Sequence, residues 1–375
     1  MENNIKIFFE LLRAGLWENI PVHDTWFMVH GSEQVDWDEV YRFAEEQSVI
    51  GVVLAGIEHS YVKPPQELLL QWIGEVQVLE QQNQAMNQFV AVMIEKMRAA
   101  GVYTLLVKGQ GIAQCYERPL WRCSGDVDLF LSYNNYNRAK GLLVPIASEV
   151  EKEYVREKHL GVTIEGYIVE LHGTLHSGLS AKIEEGLDEI KKAVFFEGKV
   201  RSWMNGKTQV FLPNANEDVV YVFTHILQHF FKAGLGLRQV CDWCRLLWTY
   251  KDTLNYGLLE SRIKRMGLLT EWKAFGAFAV EYLGMPVEAM PFYSPDKKWK
   301  RKADKICSFI LEVGNMGHNR DMCYFEKYPY LIRKVYSMGC RCGDLIRHAR
   351  IFPLDSLRFF PRIMFNGLRS AIRGE

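Results

Sequence analysis

Apolar positions in the first hundred residues recur at helical spacing. Ile5, Phe8, Phe9, Leu12 and Leu16 form one stripe; Val40, Phe43 and Ala44 form a second, behind Asp36, Asp38 and Glu39, acids that suit a helix's first turn. After Pro64-Pro65 a longer segment, 66–100, carries Leu69, Ile73, Val76, Leu79, Met86, Phe89, Val90 and Met93, and stops at Gly101. The pattern then changes. The run 102–107 is short, apolar and β-branched between glycines, which predicts a buried strand. A short helix over 109–116 is punctuated by Pro119, and 126–131 reads as a second strand. Asn134-Asn135 are placed to cap a helix running to about residue 150. The runs 159–164 and 167–172 flank Glu165-Gly166, a two-residue hairpin turn, and 208–212 reads as a further strand before Pro213. Helical spacing returns over 216–232, 236–250, 255–267 and 270–284. The expected fold class is therefore α+β, a small mixed sheet flanked by N- and C-terminal helical regions. The expected units are 1–64 (helical), 65–213 (the core with its leading helix), 214–295 (helical) and 296–375 (a basic tail).

Composition narrows the function classes. With 375 residues, 48% apolar and 24% charged, the chain is neither disordered nor a repeat fibre. Lys+Arg 45 against Asp+Glu 45 cancel, which argues against a polycation that coats nucleic acid. The cancellation hides an asymmetry: residues 296–375 carry seventeen basic and eight acidic side chains, a net of +9, against −9 in the first 295. No run approaches the ~18 apolar residues of a membrane span. Glu10, Arg13 and Glu18 interrupt any signal-like core, so a cytoplasmic location is expected. Eight cysteines are too few for a disulfide scaffold. Cys241/Cys244 lie in a helical pattern and Cys340/Cys342 are one residue apart, so reduced structural thiols are expected rather than a zinc site.

The sharpest chemistry is Asp126-Val127-Asp128. In a strand, residues two apart share a face, and two close carboxylates repel unless a cation lies between them. Mg²⁺ takes hard oxygen ligands and bridges to substrate phosphates, with Mn²⁺ as the alternative. Glu170, a charge within the apolar run 167–172, is a third acid. If its strand neighbours the Asp126 strand, three carboxylates can hold two ions ~3.5–4 Å apart. The bland alternative pairs Glu170 with a nearby base. Lys108-Gly109 joins a strand to a helix, where a positive charge and a bare backbone suit phosphate.

The order strand, Lys108-Gly109, helix, Tyr116, Pro119, Arg122, Asp126-x-Asp128, then a strand with Glu170-Leu171-His172, resembles a family of mostly uncharacterised bacterial nucleotidyltransferases within the DNA polymerase β-like superfamily. His225, His229, Gly236 to Gln239 and Asp242 extend the resemblance, which covers about 66–284. Where the superfamily usually has Gly-Ser or Gly-Gly, this chain has Lys108-Gly109-Gln110-Gly111, the family's own variant. The resemblance implies a nucleotidyltransferase sheet and a Mg²⁺-dependent transfer of an NMP from an NTP to a hydroxyl of a small molecule, sugar or glycan precursor. It makes Asp126, Asp128 and Glu170 the metal ligands, with Glu170 also helping to deprotonate the acceptor. Lys108 and Arg122 are the candidate triphosphate contacts.

Smaller roles fall to the remaining polar residues. His225 and His229 share a helix face at a zinc-capable spacing, but lack an obvious third ligand, so packing or a substrate contact is expected. Arg238 and Asp242, four apart, suit an ion pair, and His172 suits orientation of the metal site or a strand cap. In the tail, 351–373 interleaves aromatics with arginines. That suits either packing on the protein or peripheral membrane contact, and Pro353 and Pro361 argue against one continuous helix. Two alternatives of different class share these residues: a nucleotide-binding regulatory protein without turnover, and a D-x-D glycosyltransferase.

Overall fold

The computed structural model describes residues 2–18, 35–155, 157–315, 332, 339 and 343–372. Three helices open the chain, α1 (Glu2–Leu16), α2 (Trp37–Glu46) and α3 (Ile50–His59), followed by the long α4 (Gln66–Ala99). The α+β centre follows. Strand β1 (Thr104–Val107) leads through α5 (Gly109–Ala113) to β2 (Val127–Leu131), α6 (Tyr133–Leu143), β3 (Glu149–Val150), β4 (His159–Ile164) and β5 (Tyr167–His172). Next come α7 (Ala181–Phe196) and the ribbon β6 (Val200–Asn205) and β7 (Thr208–Pro213). Helices α8 (Ala215–Lys232), α9 (Leu237–Tyr250), α10 (Tyr256–Met266), α11 (Leu269–Leu283), α12 (Lys297–Val313) and α13 (Pro353–Ile372) complete the described chain.

The five strands order as β1-β2-β5-β4-β3. Only β2 and β5 run parallel; the other pairs are antiparallel. The hairpin joining β4 and β5 turns at Glu165 (φ 53°) and Gly166 (φ 82°), both left-handed, as a twist-matched two-residue turn requires.

Alternation divides the sheet's faces. Val127, Leu129 and Leu131 of β2, Leu160, Val162 and Ile164 of β4, and Val169 and Leu171 of β5 face one cluster, closed by Met86, Val90, Met93 and Met97 of α4. The residues between them, Asp128, His159, Glu170 and His172, therefore share the opposite face. Near the β1 edge that face is sealed by Leu105, Val107 and Phe130, which join the larger core. This core runs continuously from Ile7 through Phe223 to Ile363.

Several expected elements are shorter, longer or new. The helix at 133 begins one residue earlier than Asn134-Asn135, with Ser132 at its N-cap, and ends at Leu143. Pro145 follows in a 3-10 turn, since proline cannot donate to a continuing helix, and β3 takes residues expected to be helical. Helix α7 and strand β6 were not expected; β6 supplies the partner that 208–212 needs. Within the tail, Pro353–Ile372 is one helix despite its prolines. Pro353 sits at its first position, where no N–H is needed, and Pro361 lies inside it. Phe352, Phe359 and Ile363 of the tail are buried in the large core. No described helix is long and apolar enough to cross a membrane. Cys340/Cys342 lie outside the described residues; Cys241 and Cys244 are buried free thiols.

Candidate active site

The parallel pairing of β2 with β5 sets Asp128 opposite Glu170 and Phe130 opposite His172. Asp126 stands one residue ahead of β2. Ligand oxygens of Asp126, Asp128 and Glu170 lie within 4.8 Å of one another. The structure thus brings together the three acids that the sequence analysis singled out.

Lys108 is a fourth member. Its backbone, at φ 56° and ψ −148°, lies in a region that side chains rarely adopt, and Gly109 follows at φ 42°. This bend ends β1 beside the acids and aims the ammonium inward, where Nζ is 2.7 Å from Asp128 Oδ1. Burial works against the ammonium, but the charges of Asp128, Asp126 and Glu170 prevail and hold it protonated. Helix α5 is five residues long, so the phosphate affinity expected at its start rests on the lysine charge more than on a helix dipole.

His172 Nε2 lies 2.6 Å from Asp128 Oδ1 and 3.2 Å from Glu170 Oε2, and His159 Nε2 lies 3.1 Å from the same Glu170 oxygen. These contacts order the electrostatics. Burial raises Glu170, but the hydrogen bonds from His159 and His172 overcome it and keep the carboxyl well below its ordinary range. Burial disfavours the charged His172, yet its bond to Asp128 raises it. Asp126 is pushed up to about 6, first by the charge of Asp128 and then by burial. The carboxylates therefore still repel one another beside the lysine and the histidines.

Helix α8 presents Tyr221, His225 and His229 along one face, four residues apart. The charges of Lys108, His172 and Glu170 bear on His225, and those of Lys108 and Asp128 on His229. The two rings meet at 3.0 Å, Nε2 to Nε2. Burial holds both neutral, His225 well below its usual value and His229 at about 4.

Arg122, the other candidate triphosphate contact, is engaged by groups of the protein. Its Nε and Nη2 each donate at 2.7 Å to the two oxygens of Asp242, its Nη1 donates to the Cys123 carbonyl, and Tyr116 donates its hydroxyl to Asp242. The pairing of Arg238 with Asp242 expected from their spacing is displaced by this fork. Arg238 Nη1 instead donates to the Cys123 carbonyl, holding the loop that enters β2. Behind it, Gln110 donates to Asn83, whose amide donates to the carbonyls of Leu120 and Arg122.

Two members of the site were not expected from the sequence, His159 and Tyr221. The hairpin contained a signal for the first. From a two-residue turn at 165–166, counting six residues outward on both strands pairs His159 with His172. For Tyr221 the signal was its position one turn before His225.

The donor set fits a hard divalent cation. It offers carboxylate oxygens, a lysine ammonium stands against Asp128 where a cation would neutralise the cluster, and Asp126 is held up by unrelieved repulsion. Comparison with known proteins agrees with this arrangement: a family model described as an uncharacterised nucleotidyltransferase matches residues 33–284. No curated protein and no solved structure matches the chain.

Proposed function

The chain belongs to the uncharacterised nucleotidyltransferase family, and from that membership we propose that it moves an NMP from an NTP to a hydroxyl of a small molecule, sugar or glycan precursor. The observation that carries the reading is the in-register pairing of Asp128 with Glu170, which gathers three acids from separate segments of sequence beside a strained lysine. Asp126, Asp128 and Glu170 would hold Mg²⁺, or Mn²⁺, in one or two positions. When bound, the metal supplies charge neutralisation at the α-phosphate and activates the attacking hydroxyl.

The chain's own residues do the rest. Lys108 has a flexible stem, so its ammonium can leave Asp128 for a triphosphate oxygen when a cation takes its place. Glu170, held ionised by two histidines, would serve mainly as a metal ligand, because its lowered proton affinity makes it a weak base for the acceptor hydroxyl. Tyr221, His225 and His229 would line the acceptor side. The neutral imidazoles offer hydrogen bonds without the cost of a buried charge. Arg122 acts through Asp242 and the Cys123 carbonyl, positioning the loop that delivers Asp126. The superfamily likeness to polymerase β and the cytoplasmic setting belong to the same proposal.

Pyrophosphate release tests it, measured with each NTP, Mg²⁺ and a panel of sugars and polyols. The expected result is acceptor-dependent release that Asp126→Asn abolishes. Mg²⁺-dependent NTP binding with no release across a broad panel would favour the regulatory alternative instead.

A further inference from the structure

On the sheet face that bears the three acids, a second triad shares only Glu170 with them. His159 opens β4, His172 closes β5, and the antiparallel register sets them directly opposite each other. Glu170, two residues before His172, lies on the same face. Both imidazoles bring Nε2 to one carboxylate oxygen, Glu170 Oε2, at 3.1 and 3.2 Å, with His172 Nε2 also 2.6 Å from Asp128 Oδ1, and the three ligand atoms lie within 4.8 Å of one another. The rings stand 4.8 Å apart by their centroids.

These separations match the edge of a coordination polyhedron. Metal–nitrogen and metal–oxygen bonds of about 2.0–2.2 Å put neighbouring ligand atoms roughly 3.0–3.5 Å apart in octahedral or tetrahedral geometry. All three residues keep part of their surface open, so an ion can reach them: side-chain exposure is 26% for His159, 23% for Glu170 and 14% for His172. The donor chemistry differs from that of the carboxylate triad. Two imidazoles and one carboxylate favour a first-row transition ion, whereas three carboxylates suit Mg²⁺.

We propose that His159, His172 and Glu170 form a nitrogen-ligated position for a divalent transition metal, bridged through Glu170 to the oxygen-ligated position of Asp126 and Asp128. The inference deepens the cation reading of the acids and rests on it for the bridging role of Glu170. Loading the position displaces any proton carried on either Nε2, leaving each ring bound as neutral imidazole.

The test is Mn²⁺ binding to the full chain without nucleotide, followed by stoichiometry and by pulsed EPR, which detects nitrogen coupled to the metal. The expected result is two Mn²⁺ per chain, one showing imidazole-nitrogen modulation. His159→Gln should weaken one of the two positions at least tenfold and reduce the modulation. His172→Gln should do the same, which guards against misfolding of either variant, and circular dichroism melts identify a variant that fails to fold. Asp126→Asn should weaken the other position and leave the modulation in place. Mn²⁺ bound in an Asp126-dependent way without nitrogen modulation would overturn this position and leave the carboxylate one standing. Nitrogen modulation with binding indifferent to Asp126→Asn would do the reverse. No Mn²⁺ bound at millimolar concentration would overturn both.

Discussion

Two ionic clusters, one buried and one partly open, are built on opposite principles. In the Arg122 cluster, one carboxylate meets one guanidinium in a two-pronged pair at 2.7 Å, with Tyr116 adding a third bond to Asp242. Arg122 and Asp242 are each only 5% exposed. The charges match and both oxygens of Asp242 are filled by the guanidinium. In the Asp128 cluster, three carboxylates share one lysine and two histidines, Asp126 is pushed up to about 6, and Lys108 bends through a strained backbone to reach them. Satisfied charge marks the scaffold; unsatisfied charge marks a place that could hold a cation. Breaking each cluster should therefore do different damage.

The largest effect is expected on chemistry. Asp128→Asn should lower nucleotidyl transfer about a thousandfold or more, ~4 kcal/mol, while the melting temperature moves little, because the isosteric amide keeps an acceptor for Lys108. Full activity in that variant would dissolve the contrast. Arg122→Ala should do the opposite, costing about 3–5 kcal/mol of stability in denaturant melts, since it leaves Asp242 charged and unpaired in the interior. A cost below about 1 kcal/mol would mean that Asp242 is not held by this pair.

A smaller expected effect is stabilisation by Mg²⁺. At a hundred times the dissociation constant, a cation should add about 2.7 kcal/mol to the native chain, read as a rise in melting temperature, and nothing to an Asp126→Asn, Asp128→Asn double variant. Arg122→Lys should keep the rise, because its cluster binds no ion.

The smallest effect is pH dependence, where the sign follows from the shifts. Asp126 is raised from 3.8 to about 6, so protons compete with a cation well above the usual carboxylate range. Cation affinity should fall by about tenfold per pH unit below pH 6, and Asp126→Asn should flatten that slope. In the cation-free chain, the raised Asp126 favours the folded state at low pH, an advantage lost as pH rises from about 4 to 6. His229, lowered from 6.5 to about 4, works in the other direction: the folded chain resists its protonation, so stability is lost as pH falls through that window. His225, lowered as well, keeps its own contribution, so His229→Asn should make the loss of stability on acidification shallower between pH 4 and 6 in thermal melts.

The contrast between the clusters also explains what could be read from the sequence. Strand alternation and a two-residue turn are local, so the hairpin 159–164/167–172 was found with its boundaries intact. The three acids were singled out because carboxylates are anomalous in apolar strands, and an anomaly needs no partner to be visible. Partner choice is a different matter. Whether Asp242 takes Arg238, four residues away, or Arg122, 120 residues away, depends on how α9 packs against the loop before β2, and no spacing encodes that. The same holds for Lys108, whose ammonium lies against Asp128 because of a backbone bend that its flanking residues do not announce. Strand β6 escaped notice because Val200 to Asn205 mixes polar and apolar side chains on a half-exposed ribbon. Pro361 misled because a helix can absorb a proline when its buried stripe, here Phe359 and Ile363, is anchored in the core.

The most direct test is titration calorimetry of Mg²⁺ into the chain with an NTP present, repeated on Asp128→Asn and on Arg122→Lys. The account predicts saturable Mg²⁺-dependent nucleotide binding in the native chain, its loss in Asp128→Asn and its retention in Arg122→Lys. Equal binding in the native chain and in Asp128→Asn would contradict the claim that these acids hold the metal.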